Sequence, residues 1–358
     1  MPIDIYRAAL KSKEDFMLKV LSSYGIKCDD ISVDQQLNID LYSVRLSMGC
    51  RSSRVDNILT DIGMQLKAYS EPMGFVSTGD GVYKISVQKN EIRSISISDI
   101  IFKHGLNSSF SCPIAIGVGA DEKPIVVDLA SMPNLLIGGI PGSGKSMLLH
   151  SIILSCLYNN SDLYLCDPKM VEFSKYKGQA SVRSIAYSID EFRILCSSLI
   201  KMMNDRYNLI SSRGVSNFSE FNDSNKGKVL FRPKNIKPSV IIIDEWADIY
   251  FSDKSVESMV CTIAQKGRAA GVFIVMATQR PSSKVVSGLV KASFPARIAL
   301  RTSTSVDSRV VLEQSGAEKM TDPGTGLYRD AYSFAPTIFR SPIITPYCIE
   351  EVLRGLRV

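Results

Sequence analysis

The sequence predicts an α/β fold: a nucleotide-binding domain on a mainly parallel sheet, preceded by a smaller α+β unit. Three observations predict it. Gly139-Ile-Pro-Gly-Ser-Gly-Lys-Ser146 fits the phosphate-binding loop pattern G-x-x-x-x-G-K-[ST], set between an apolar run, 135–137, and a mostly apolar helical stretch, 147–158. Val240-Ile-Ile-Ile243 reads as a strand buried on both faces, as a parallel sheet requires, and it ends in two acids, Asp244 and Glu245. A third apolar run, 272–277, ends in a polar tip, Thr278-Gln279-Arg280. At 358 residues the chain has room for one large domain and one small one, divided here into 1–105 and 106–358.

In the small unit a helix is expected from about Ser12, with Phe16, Leu18, Val20 and Leu21 on its apolar side. Residues 41–48 suit a strand. Val55, Ile58, Leu59, Ile62 and Leu66 follow at helical spacing, after an N-cap at Ser52 or Ser53. Residues 81–87 alternate like another strand. No catalytic constellation falls here, so the unit reads as a packing or assembly module. Residues 103–111 form a polar linker, and 113–118 with 125–129 form a hairpin leading into the phosphate loop.

The loop carries the first chemistry. Between a strand and a helix, successive backbone N–H groups converge on an anion, and the helix N-terminus adds partial positive charge. The nucleotide-binding set is therefore Gly139, Ile140, Pro141, Gly142, Ser143, Gly144, Lys145 and Ser146, with Met147 behind it. Lys145 is assigned to the β- and γ-phosphates, and the Ser146 hydroxyl to Mg²⁺. Next come a strand, 163–166, with a charged turn, Asp167-Pro-Lys169, and a long helix, 188–210. That helix is expected to turn Ile194, Leu195, Leu199, Met202 and Met203 to the core, and 222–238 reads as a surface loop.

The acid pair completes the catalytic expectation. Asp244 joins the Mg²⁺ shell, and Glu245 takes a proton from, or orients, the attacking water. Gln279, at the tip of the neighbouring strand, is the candidate γ-phosphate sensor. Arg268, on a helix end before that strand, either faces a neighbouring subunit or serves as a cation on the helix C-terminus.

Composition excludes several classes. Eight scattered cysteines without a C-x-x-C pair, and only two histidines, argue against structural zinc and suit free thiols in a reducing compartment. No apolar run approaches the ~18 residues that span a bilayer, and no signal-peptide pattern opens the chain. The expectation is a cytosolic protein, or the soluble part of something anchored by a partner. Net charge is +6, and the interval 258–306 holds no acid while carrying Lys266, Arg268, Arg280, Lys284, Lys291, Arg297 and Arg301. A single basic face of this kind points to a polyanion, nucleic acid first.

Several stretches occur in order: Met132-Pro-Asn-Leu-Leu-Ile-Gly-Gly with the loop, Asp167-Pro-Lys-Met170, Ile243-Asp-Glu-Trp-Ala-Asp248, Ala264-Gln-Lys-Gly-Arg-Ala-Ala-Gly271, Ala277-Thr-Gln-Arg-Pro281 and Val306-Asp-Ser-Arg309. Together they resemble the motor region of the FtsK/SpoIIIE double-stranded DNA translocases, over about residues 112–330. The resemblance implies a RecA-like P-loop NTPase fold, a homohexameric ring around duplex DNA, and ATP-driven translocation with Mg²⁺. It implies that Arg268 acts on the neighbour's nucleotide and that Arg280 and Arg309 face DNA. Ser305 stands where the family usually has lysine, Trp246 where it usually has phenylalanine, and Gly267 where it usually has alanine. With no spanning segments ahead of the small domain and no winged-helix module before Val358, a stripped-down motor for mobile-element or viral transfer, packaging or partition is expected.

The competing reading is a ring ATPase for polypeptide secretion. An extended polypeptide needs no acid-free basic stretch, which favours DNA. A regulatory nucleotide-binding module without turnover would not need Glu245.

Overall fold

The structure, a computed structural model, describes residues 12–35, 39–68, 72–76, 82–89, 93–224, 235–333 and 335–356. The amino-terminal unit opens with α1 (Lys13–Ser23), whose first turn is capped by the Ser12 side chain accepting from the Asp15 N–H. This helix buries Met17, Val20 and Leu21 but leaves Leu18 exposed. Strands β1 (Cys28–Gln35), β2 (Ile39–Leu46), β3 (Met73–Val76) and β4 (Tyr83–Gln88) form an antiparallel sheet in the order β1-β2-β4-β3. The helix expected around Val55 is two helices, α2 (Ser52–Asp56) and α3 (Leu59–Leu66). The backbone tightens where the Ile58 N–H donates to Val55 O, three residues back, and this interrupts the helix. Arg51 occupies the N-cap without a side-chain bond, so neither Ser52 nor Ser53 caps it.

The large unit is built on ten strands in the order β6-β5-β14-β13-β12-β7-β11-β10-β8-β9. These are β5 (Pro113–Gly119), β6 (Pro124–Asp128), β7 (Asn134–Gly138), β8 (Asp162–Cys166), β9 (Val182–Ala186), β10 (Ser239–Ile243), β11 (Val272–Thr278), β12 (Ala296–Leu300), β13 (Thr325–Arg329) and β14 (Thr337–Arg340). From β12 to β9 all neighbours run parallel, and from β13 outward they run antiparallel. The predicted hairpin is thus the far edge of the same sheet. Every residue of β7, β10, β11 and β12 is buried, which is why their sequences are mostly apolar, with Asn134, Ser239, Thr278 and Arg297 as the polar exceptions.

Helices cover both faces. Helix α4 (Lys145–Tyr158) follows the phosphate loop and buries Leu148, Leu149, Ile152 and Ile153 in one core, which Ile97, Ile100 and Ile101 also enter. Helix α5 (Ile189–Ser212) starts at a reciprocal capping box between Ser188 and Glu191. It turns Phe192, Leu195, Cys196, Leu199 and Met203 to the other core. Ile194, predicted to face inward, is 69% exposed, because the buried stripe recurs at three and four residues from Phe192 and passes it by. Short helices α6 (Phe218–Ser224), α7 (Trp246–Ser252), α8 (Val256–Lys266), α9 (Gly288–Ser293), α10 (Ser305–Leu312) and α11 (Pro346–Gly355) complete the layers. Residues 222–224, read as loop, belong to α6, and 225–234 lie outside the described residues.

The acid-free interval does not form one face. It begins on α8, crosses the sheet in β11, returns through α9 and re-enters in β12. Lys266 and Arg268 therefore sit at the sheet edge opposite Arg280 and Arg301. Arg297 is buried: its guanidinium donates to the Phe294 and Lys291 carbonyls at 3.1 and 2.8 Å and pairs with Glu313 at 2.9 Å. Sequence adjacency overstated the patch, because parallel strands send consecutive loops to opposite ends.

Candidate nucleotide-binding site

All strands from β12 to β8 end at one edge, and of the predicted catalytic residues Lys145, Glu245 and Gln279 follow them, whereas Arg268 does not. Strand β11 lies between β7 and β10, with Ile243 opposite Met276 and Thr278 opposite Gly138. The phosphate loop and the acid pair are thus not on neighbouring strands but flank a shared one. The loop is tied down from both sides. Gly139 N–H donates to Thr278 O at 3.2 Å, Ile140 N–H to Arg301 O at 2.9 Å, and Gly324 N–H to Ser143 O at 2.8 Å.

Gly144 has φ +99°, and a Cβ there would lie 2.6 Å from Gly324 N, so a side chain is excluded by conformation and by space. A Cβ on Gly139 would lie 2.6 Å from Ser143 Oγ. That hydroxyl is buried without a hydrogen-bond partner, a free donor inside the cradle. Helix α4 begins at Lys145 behind Gly144, with no side-chain cap, so its first N–H groups remain free for an anion. The cradle fits a phosphate. Pro141, Gly142 and Met147 line its exposed rim.

Lys145 and Asp244, assigned to phosphate and to metal, face each other. Lys145 Nζ donates to Asp244 Oδ1 at 2.6 Å and to the Asp244 carbonyl at 2.5 Å, and both side chains are 4% exposed. A buried ammonium needs such a counter-charge. Ser146 and Asp244 offer the hard oxygen donors that Mg²⁺ takes.

Glu245 is held by the tip of β11. Thr278 Oγ1 donates to Glu245 Oε1 at 2.7 Å, and the Gln279 N–H lies 3.1 and 3.0 Å from the two carboxylate oxygens. Gln279 therefore meets the acid through its backbone, with its side chain half-buried alongside. Trp246, the next residue, is fully buried and its indole N–H donates to Val285 O at 3.0 Å. Phenylalanine at this position would leave that carbonyl without this donor.

The remaining predicted residues lie apart. Arg280 is exposed at the β11 tip and Arg309 is exposed on α10. The segments carrying them close over Gly138, where a Cβ would meet Val311 at 2.4 Å and Pro281 at 3.4 Å. Ser305 opens α10 behind the Thr304 cap. Arg268 sits on a turn before β11, at the opposite edge of the sheet, with its Nε donating to Ala130 O at 3.2 Å. It borders an open cleft of about 470 Å³ that includes Tyr207 and Phe218.

Sequence reasoning missed Thr278 and a cluster around Glu172. Ser146 Oγ donates to Glu172 Oε1 at 2.8 Å, and Glu172 Oε2 lies 3.2 Å from His150 Nε2. Burial raises the Glu172 carboxyl, but the Ser146 hydroxyl, His150 and Lys175 outweigh it and hold the group below its ordinary range. Burial, then Lys175, lowers the His150 imidazole against the pull of Glu172. The available signal was the turn Asp167-Pro-Lys169, which delivers Glu172 five residues on.

Among the described residues no helix is long and apolar enough to cross a membrane. The FtsK/SpoIIIE family pattern matches residues 103–283, just over half of the chain. The DNA translocase FtsK of Rickettsia typhi is 31% identical over 352 residues, covering 89% of this chain and 47% of that protein. FtsK of Caldanaerobacter subterraneus subsp. tengcongensis is 30% identical over 374 residues, covering 99% and 52%. The chain spans about half the length of the curated relatives it matches. Among solved structures, the pCW3 conjugation coupling protein TcpA, in a monomer form with ATPγS, superposes with a TM-score of 0.66 at 20% identity, covering 93% of this chain and 94% of that one. The type VII secretion ATPase EccC of Thermomonospora curvata gives 0.62 at 20% identity over 74% of this chain and 34% of that one. These likenesses agree with a RecA-like fold. With the family pattern over half its length, the chain belongs to the FtsK/SpoIIIE family.

Proposed function

We propose that the chain is the motor region of a double-stranded DNA translocase, an ATP hydrolase working as a homohexameric ring that pumps duplex DNA with little regard to sequence. The observation that carries the ATP-hydrolase part of this reading is the meeting of Lys145, Ser146, Asp244 and Glu245 at one sheet edge around an anion cradle, and relatives named as DNA translocases support the rest. Lys145 neutralises Asp244. Lys145 would meet the nucleotide phosphates, and Asp244 and Ser146 would hold Mg²⁺. Bound Mg²⁺ supplies charge neutralisation on the transferring phosphoryl group. Glu245, fixed by Thr278 and the Gln279 N–H, orients the attacking water.

Arg268 acts across a subunit boundary in this reading. The seven residues of β11 separate it from its own site by roughly 20 Å, at ~3.3 Å per residue. Only another copy can bring an Arg268 to these phosphates, and a closed ring does so for every site. Arg280 and Arg309 contact the DNA backbone. Transfer, packaging or partition of mobile or viral DNA in the cytoplasm is the setting we favour.

Polypeptide export is the competing reading. The likeness to EccC is one of fold, whereas relatives named as DNA translocases share about 30% identity along most of the chain. The deciding experiment measures ATP hydrolysis with and without linear duplex DNA, alongside the mass of the assembly. DNA stimulation with a six-copy mass is expected. Turnover indifferent to DNA would overturn the DNA reading, and a monomer with and without DNA would overturn the ring.

A further inference from the structure

The cluster behind Ser146 has no part in the assignments above, and its geometry is specific. Residues 146 and 150 lie one turn apart on α4 and present their polar groups to the two oxygens of one carboxylate, Ser146 Oγ to Oε1 and His150 Nε2 to Oε2 of Glu172. His150 is itself fixed, because its Nδ1 lies 3.0 Å from the Tyr176 hydroxyl. The backbone around Glu172 is fixed as well. The N–H groups of Glu172 and Phe173 both donate to Asp167 Oδ2 at 2.9 Å. Asp167 is fully buried just beyond β8, where Asp244 N–H bonds to Cys166 O at 3.1 Å. The loop that carries Glu172 is thus anchored beside the acid strand.

A serine hydroxyl has one proton to donate and two lone pairs to offer. Where it ligates a cation, the lone pairs must serve the cation and the proton must have an acceptor. Glu172 is that acceptor. We propose that Glu172 is a positioning residue for Ser146: it accepts the hydrogen bond of the Ser146 hydroxyl and so turns that oxygen's lone pairs to Mg²⁺, without itself ligating the ion. This inference rests on the nucleotide-site reading above. Partners placed behind metal ligands in this way are worth about 10–100-fold in metal affinity.

The test is nucleotide binding rather than turnover, with a fluorescent ATP analogue as probe, first in chelator and then under Mg²⁺ titration. Glu172→Ala should bind the metal-free analogue within about twofold of wild type. The Mg²⁺ concentration needed for half of the metal-dependent gain should rise about 10–100-fold. Glu172→Gln should recover most of that loss, because its amide oxygen takes the Ser146 hydroxyl while its NH₂ faces His150 Nε2. In a Ser146→Ala background Glu172→Ala should do nothing further, the non-additivity expected of a pair acting as a unit. Equal Mg²⁺ requirements in wild type and Glu172→Ala, additive losses in the double variant, or Glu172→Gln as poor as Glu172→Ala would each overturn the proposal while leaving the nucleotide site standing. A wild-type chain that binds no analogue with or without Mg²⁺ would instead overturn the site reading, and this inference with it.

Discussion

Thr278 Oγ1 donates a 2.7 Å hydrogen bond to Glu245 Oε1, while the carbonyl of the same threonine accepts from the Gly139 N–H. The hydroxyl also accepts from the Arg280 N–H at 3.1 Å. One residue therefore joins all three: its side chain holds the acid and the strand tip, and its backbone carbonyl holds the phosphate loop. A hydrogen bond to a charged group is worth about 1.5–3 kcal/mol, and its loss here falls on the orientation of the acid. Thr278→Val should lower kcat about 10–100-fold with little change in nucleotide affinity.

Glu245→Gln should retain nucleotide binding and lose nearly all turnover, whereas Lys145→Ala should weaken binding itself. Equilibrium binding and steady-state hydrolysis on both variants separate the two effects. An active Glu245→Gln protein would remove Glu245 from its role.

Arg268→Ala and Glu245→Gln should each be inactive alone, since an arginine acting across a boundary can be worth ~10³–10⁵ in rate. Mixed rings should regain part of the activity, because some interfaces pair an intact Glu245 with an intact Arg268. Failure of well-mixed rings to recover would count against action between subunits.

Duplex binding should weaken steeply with salt and ignore sequence, because backbone contacts release counterions. Arg280→Ala and Arg309→Ala should flatten the salt slope and reduce DNA stimulation while sparing DNA-independent hydrolysis. Ser305→Lys should tighten binding. Salt titrations on several unrelated duplexes check all three.

Glu313, at the end of α10, receives Arg297 at 2.9 Å and Arg329 at 3.0 Å. Burial raises its carboxyl, but these two guanidinium groups outweigh it and lower the pKa on folding. Its contribution to stability is therefore complete above the ordinary glutamate value of about 4.3 and fades as pH falls through the lower folded value. Glu313→Gln should unfold at lower temperature than wild type near pH 7, and the gap should close towards pH 3. The half-exposed carboxylate keeps the effect small.

The sequence made the phosphate loop and the acid strand legible because each is a local string with one physical reading. Strand order was not legible. Nothing in 240–245 says that β11 separates it from the loop, so Thr278 read only as part of the polar tip, where Gln279 and Arg280 drew the assignments. Arg297 read as surface charge because burial is set by the fold around it, and its carbonyl partners carry no sequence signal. Glu172 was hidden for the same reason: its meaning lies in Ser146 and His150, more than twenty residues earlier. Ile194 shows the limit of periodicity, since several apolar residues on one helix leave its rotation ambiguous by a position or two.

Trp246 is the only tryptophan in the chain, and it sits fully buried between Glu245 and the segment that follows the β11 tip. Its indole emission is therefore an unmixed optical signal from the centre of the proposed engine. A shift of the acid strand against Val285 would change the hydrogen bond to the indole and, with it, the colour and yield of the emitted light. Any such shift on nucleotide addition is therefore open to a direct test in the native protein, without a dye and without mutating the part being watched.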